Sequence, residues 1–148
     1  MNRLLELIAR GINWIACRSS LSGILLFSWC AVVFLLSSFP GSAYPKVDFF
    51  LADKIVHVGL YFAGGFLAAV YFYGRRKHTS APLGFGMLYA ASDEFHQWFV
   101  PQRSFSVGDI IADTIGVLLG LSIFHLCMQY KNYPINIKPT SVKRMEVT

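Results

Sequence analysis

The chain has 148 residues, 55% of them hydrophobic and only 14% charged, with a formal net charge of +5. Length and apolar bias point to a single domain over 1–148 and exclude an ordinary soluble chain, in which roughly a quarter of positions carry charge. The basic excess is no argument for nucleic acid, because membrane topology and contact with anionic lipid account for it.

In chain order, the first element is a predicted interfacial helix. Leu4, Leu5, Ile8, Ile12 and Ile15 recur near helical spacing, Glu6 and Arg10 form an i,i+4 pair on another face, and Trp14 suits the headgroup zone. The competing reading is a signal peptide with Leu21 to Leu36 as its core and Gly41-Ser42-Ala43 as its cleavage site. Against it, the basic region is long and the apolar core exceeds the roughly 7 to 15 residues usual in signals. Four apolar stretches follow at 21–39, 55–73, 81–100 and 107–128, each near the ~20 residues that a helix needs to cross the hydrocarbon. Unpaired backbone groups are not tolerated in lipid, so these must be helices. The predicted fold class is all-α: a polytopic membrane protein, with a four-helix transmembrane bundle behind the N-terminal amphipathic helix.

Ten of the 13 basic residues lie before the first stretch, between the second and third, or after the fourth; only Lys46, Lys54 and Arg103 lie in the other two loops. By the positive-inside rule this puts both termini, including the tail 129–148, in the cytoplasm. The segment around Pro101 then faces outward. Cys17, Cys30 and Cys127 are odd in number and lie in or near spans, so they imply no disulfide framework.

Ionisable residues interrupt the last three stretches. Glu94 lies seven residues before Pro101, about 10 Å below the outer surface at 1.5 Å per residue. Asp113 lies at a similar depth on the fourth stretch, and His57 slightly nearer the surface on the second. Each would cost about 2.5 kcal/mol or more facing lipid alone, so all three should point into the bundle. Helical spacing sorts the partners. Asp53, His57 and Tyr61 share one face, Gln97 shares a face with Asp93 and with Glu94, and Asp109 stacks one turn from Asp113. His96 is about 200° around the helix from Glu94, so the two cannot be joint ligands on a straight helix. Gly116 and Gly120 form a small-xxx-small pair that admits a close neighbour, and Gly64-Gly65 offers the same on the second span. No HExxH or comparable spacing fixes a metal site, no cofactor fingerprint is present, and Tyr61 and Trp98 read as belt or packing residues.

Asp53-Lys54-x-x-His57, Asp93-Glu94-x-x-Gln97, Pro101-x-Arg103 and Asp109 with Asp113-x-x-Gly116 and Gly120, in this order on three successive spans, resemble the VanZ-like family of bacterial membrane proteins. The resemblance covers about Asp53 to Gly120. The chain carries Gln102 where the family commonly has Gly, and Asp113 where it commonly has Asn. The resemblance implies a bacterial cytoplasmic-membrane protein acting in envelope protection; the family's namesake is associated with resistance to the glycopeptide teicoplanin, with no established mechanism.

Four functions are open to these residues. In an enzyme acting on a lipid or lipid-linked envelope substrate, Glu94 or Asp93 would be the general base, His57 its acid partner oriented by Asp53, and Arg103 the grip on an anionic headgroup. A binding or shielding protein would use Arg103, Gln97, Asp53, Lys54, Asp109 and Asp113 to hold a headgroup, a cell-wall precursor or a glycopeptide without turnover. A proton-relaying transporter lacks a matching path in the cytoplasmic half. In the plainest case, Arg103, Lys54 and the acids form a salt-bridge network that only fixes helix register. The partners expected are membrane lipids and such an envelope molecule, and His78 and His125 have no catalytic part.

Overall fold

The computed structural model describes residues 2–44, 52–75 and 80–129. Lys46, Arg76, Lys77, His78 and the basic residues of the tail lie outside the described residues. Five α-helices follow one another: α1 (Asn2–Cys17), α2 (Ser19–Ser37), α3 (Ala52–Gly74), α4 (Ser80–Gln97) and α5 (Val107–Gln129), with a 3₁₀ turn at Gly41–Ala43. Among the described residues there is no strand. The helices α2, α3 and α5 are long and apolar enough to cross a membrane. The predicted third stretch appears as α4, whose last turn, with Asp93, Glu94, His96 and Gln97, is too polar for the helix to qualify on composition.

Polarity runs outside-in. On α5, Ile111, Ile115, Leu118, Leu119, Ile123 and Leu126 are exposed, while Asp109 and Asp113 are buried on the opposite side with Gly116, Val117 and Gly120. Water would drive the reverse arrangement. An apolar surround favours this one, because hydrocarbon exacts no penalty for exposed leucine and a heavy one for exposed carboxylate.

The closest packing is between α3 and α5, which run parallel. A methyl group on Gly116 would meet the Val58 carbonyl oxygen at 2.5 Å, one on Gly65 the Val117 carbonyl oxygen at 2.5 Å, and one on Gly120 would overlap the Phe62 carbonyl oxygen. Backbone touches backbone there, the arrangement that small residues permit between helices in lipid. Helix α4 runs antiparallel to both, with Gly86 against Val117 and Asp93 beside Tyr61. Helix α2 closes the other side: Trp29 fills the notch at Gly64, its Nε1 donates to the Leu60 carbonyl (3.1 Å), and its ring meets Tyr61 edge-on at 5.4 Å.

A helix, α1, stands where the interfacial one was expected, and the residues it buries are Ala9, Ile12 and Ala16, with Ala16 against Gly74; Leu4, Leu7, Ile8 and Trp14 are exposed. The bundle takes Ala9, Ile12 and Ala16, with Ile15 packed against the core, and leaves Leu4, Leu7, Ile8 and Trp14 outward. This end of the bundle also holds Arg75, which donates to the Ser19 carbonyl (2.9 Å) and lies over the Tyr71 ring, and Arg18, which lies over Trp14.

Candidate functional site

At the opposite end, α3, α4 and α5 converge with their charged residues inward. Helix α4 stops at Gln97, short of the predicted Val100, because the chain turns there: the Phe99 amide donates to the His96 carbonyl (3.0 Å) and the Arg103 amide to the Val100 carbonyl (3.1 Å). Gln102 sits in this turn at φ 61°, the left-handed region that glycine enters freely and other residues at a cost. The turn packs on Gly41, whose amide donates to the Pro101 carbonyl (3.1 Å) and where a Cβ would overlap Gln102 backbone. Helix α5 then begins with Ser106 as its cap, the Ser106 Oγ accepting from the Asp109 amide at 3.2 Å.

Two charged rungs join α3 to α5. Lys54 Nζ donates to Asp109 Oδ1 and, at 2.9 Å, to Asp53 Oδ2, and one turn further His57 Nδ1 lies 2.9 Å from Asp113 Oδ1. The carboxylate that orients His57 is therefore Asp113, not Asp53: at i−4 on the same helix, Asp53 is mostly exposed and engaged by its neighbour Lys54. Asp113 is 0% exposed, and its Oδ2 has no partner among the described residues.

Helix α4 contributes the other buried acids. Glu94, 0% exposed, accepts from the Ser106 amide at Oε2 (2.9 Å) and from Gln97 Nε2 at Oε1 (3.2 Å). Asp93 Oδ2 accepts from the same Gln97 Nε2 (3.1 Å) and from the Tyr61 hydroxyl (3.4 Å). His96 turns away, 3.0 Å from Ser38 Oγ and stacked on Phe34. His57, Glu94 and Asp113 each present one ligand-type atom, all within 4.8 Å of one another. No single helix carries that grouping; three helices assemble it.

A cavity of about 210 Å³ opens beside the cluster. Asp53, His57, Asp93, Gln97, Tyr61 and Arg103 form its polar wall, and Val33, Leu36, Val56 and Leu60 its apolar one. The lining thus comes from α2, α3, α4 and the turns; no residue of α5 is part of it, and Lys54 and Glu94 do not line it either. Arg103 does not join the salt bridges. Its guanidinium lies 4.4 Å over the Tyr44 ring, Nη1 donates to Gln97 Oε1 at 3.4 Å, and Nε is buried without a partner. Among the described residues no carboxylate is within bridging distance of it, because Lys54 already occupies Asp109 and Ser106 and Gln97 occupy Glu94.

Three participants escaped the sequence reading. Tyr61, assigned there to belt or packing, is 1% exposed and belongs to the polar wall; its i+4 spacing from His57 was the available signal. Tyr44 supports Arg103 through a loop contact that no periodicity announces. Ser106 acts through its backbone amide, although Ser106-Val107-Gly108-Asp109 before an apolar run does spell a helix start.

A family model described as VanZ/LLP1 matches residues 11–128, extending past the motif-bearing segment mainly on its N-terminal side. Neither a curated protein nor a solved structure matches the chain. Apolar helices that turn their charges inward, together with a match over most of the sequence, make this chain a membrane protein belonging to the VanZ/LLP1 family.

Proposed function

We propose that the protein crosses the bacterial cytoplasmic membrane four times with both termini in the cytoplasm, and that its cavity binds the anionic headgroup of a lipid or lipid-linked envelope molecule for envelope protection or modification. The four-span reading rests on direction. Because α3 and α5 are parallel and α4 runs back between them, a membrane crossed by α3 and α5 must also be crossed by α4, whose acids are sheltered by its neighbours. The orientation rests on the basic residues, with Arg18 and Arg75 at the end away from the cavity.

Arg103 carries the binding reading. It is a half-buried guanidinium that lines the cavity and makes no salt bridge among the described residues, and such a group is a ready partner for a phosphate or carboxylate. The apolar wall suits an acyl or prenyl chain, and Asp53 and Asp93 are placed to accept hydrogen bonds from hydroxyl or ammonium groups of the same headgroup. His57, held by Asp113, and Glu94 behind it supply proton-transfer groups if the bound molecule is also altered. Resistance of the teicoplanin type would follow if that molecule is a cell-wall precursor.

Native mass spectrometry of the protein released from its own membrane tests the binding. The wild type should carry a phosphate-bearing lipid that Arg103→Gln loses at unchanged folding; identical lipid content in both would overturn the reading. Incubation with the recovered lipid then separates an enzyme from a binder by turnover. In a background free of Cys17, Cys30 and Cys127, a cysteine at Gln102 should react with an impermeant thiol reagent from outside and one at Lys77 should not.

A further inference from the structure

We propose that His57, Glu94 and Asp113 form a binding site for one divalent cation of the zinc or manganese type. The three residues come from α3, α4 and α5, and their ligand atoms already lie within 4.8 Å of one another. A tetrahedral ion at ~2.1 Å from each donor would set them roughly 3.4 Å apart, so side-chain adjustment of about an ångström assembles the shell without moving helices.

An independent observation points to the same place. Asp113 is completely buried, spends Oδ1 on His57, and leaves Oδ2 with no partner among the described residues. A buried carboxylate oxygen without a hydrogen bond is costly, and an ion is one of the few things that relieves it. The charge balance agrees. Asp93, Glu94 and Asp113 are buried together, Lys54 is committed to Asp53 and Asp109, and Arg103 reaches no carboxylate, so His57 alone faces the excess. One imidazole and two carboxylates suit a borderline cation such as Zn²⁺ or Mn²⁺ and leave a coordination position open. His57 also lines the cavity, so the site borders it. The Ser106 amide and Gln97 hold Glu94 as outer partners hold metal ligands elsewhere.

The site stands apart from the headgroup reading, and the test keeps them apart. Tag-free protein in detergent is stripped with chelator, dialysed against micromolar Zn²⁺ or Mn²⁺, and assayed for bound metal by elemental mass spectrometry and for its melting temperature. The expected result is about one ion per chain with a raised melting temperature, binding weakened about tenfold or more in Glu94→Gln and in Asp113→Ala, and binding retained in His96→Gln and in Arg103→Gln. Glu94→Gln preserves shape, and circular dichroism of each variant excludes unfolding as the cause. Wild-type protein that retains neither metal, or an ion bound equally well by Glu94→Gln and Asp113→Ala, would overturn the site. Loss of lipid in Arg103→Gln with the ion retained would leave both readings standing.

Discussion

The seam between α3 and α5 is built in two ways along its length. From Lys54 to His57 it is held by charged rungs to Asp109 and Asp113, and from Val58 onward by glycines that bring backbone against backbone. The glycine half is complete in itself, since dispersion contacts ask for nothing further. Among the described residues, the charged half is left with an unpaired carboxylate oxygen on Asp113, and the turn after α4 with an unpaired guanidinium nitrogen on Arg103. A membrane bundle of this size can be glued without any ionisable group, and on the proposed function the charged half is a site that also packs.

Substitutions on the two halves should separate these roles. The largest effect is expected at Gly120, where any Cβ meets the Phe62 carbonyl and neither helix backbone can yield: Gly120→Val should cost about 3 kcal/mol, read as lost thermal stability in detergent and lost abundance in cells. Gly59 lies on α3 with open space beside it, and Gly59→Val should be nearly silent. Equal sensitivity of the two would break the comparison at its apolar end.

Smaller losses are expected on the charged half. Asp113→Ala strands His57 and should destabilise by about 2 kcal/mol, whereas Asp113→Leu, which fills the space and removes the unpaired oxygen, should recover part of that. A leucine variant more stable than the wild type but inactive would sharpen the comparison, since the carboxylate would then be retained against stability. Lys54 is partly exposed, so Lys54→Met should cost only about 0.5 to 1 kcal/mol, and the difference from wild type should shrink in high salt. Least of all is expected at Gln102. Relief of its left-handed backbone by Gln102→Gly is partly offset by the greater freedom of the unfolded glycine chain, so a melting experiment should show a gain below about 1 kcal/mol.

What the sequence made legible was whatever repeats along a helix. The apolar stretches at 55–73 and 107–128 became α3 and α5 within three residues, and the pairing of Gln97 with both Asp93 and Glu94 followed from i+3 and i+4 spacing. Contacts between helices were harder. The partner of His57 is settled by the register of α3 against α5, and nothing local favours Asp113 over Asp53. The same holds for Tyr44 under Arg103 and for the contribution of α2 to the cavity, which depend on how the turns at Gly41 and Gln102 meet. The glycine that the resemblance implies at position 102 would suit that turn, because Gln102 is left-handed there.

Glu94 is tied through its carboxylate to the first turn preceding α5, with the Ser106 amide hydrogen pointing at Oε2. That hydrogen therefore exchanges with solvent only when Glu94 lets go. Isotope exchange at the Ser106 amide should slow when the carboxyl is pulled tighter into the cluster and accelerate in Glu94→Ala, which gives a clock on the state of the buried acid that needs neither a known ligand nor a known reaction.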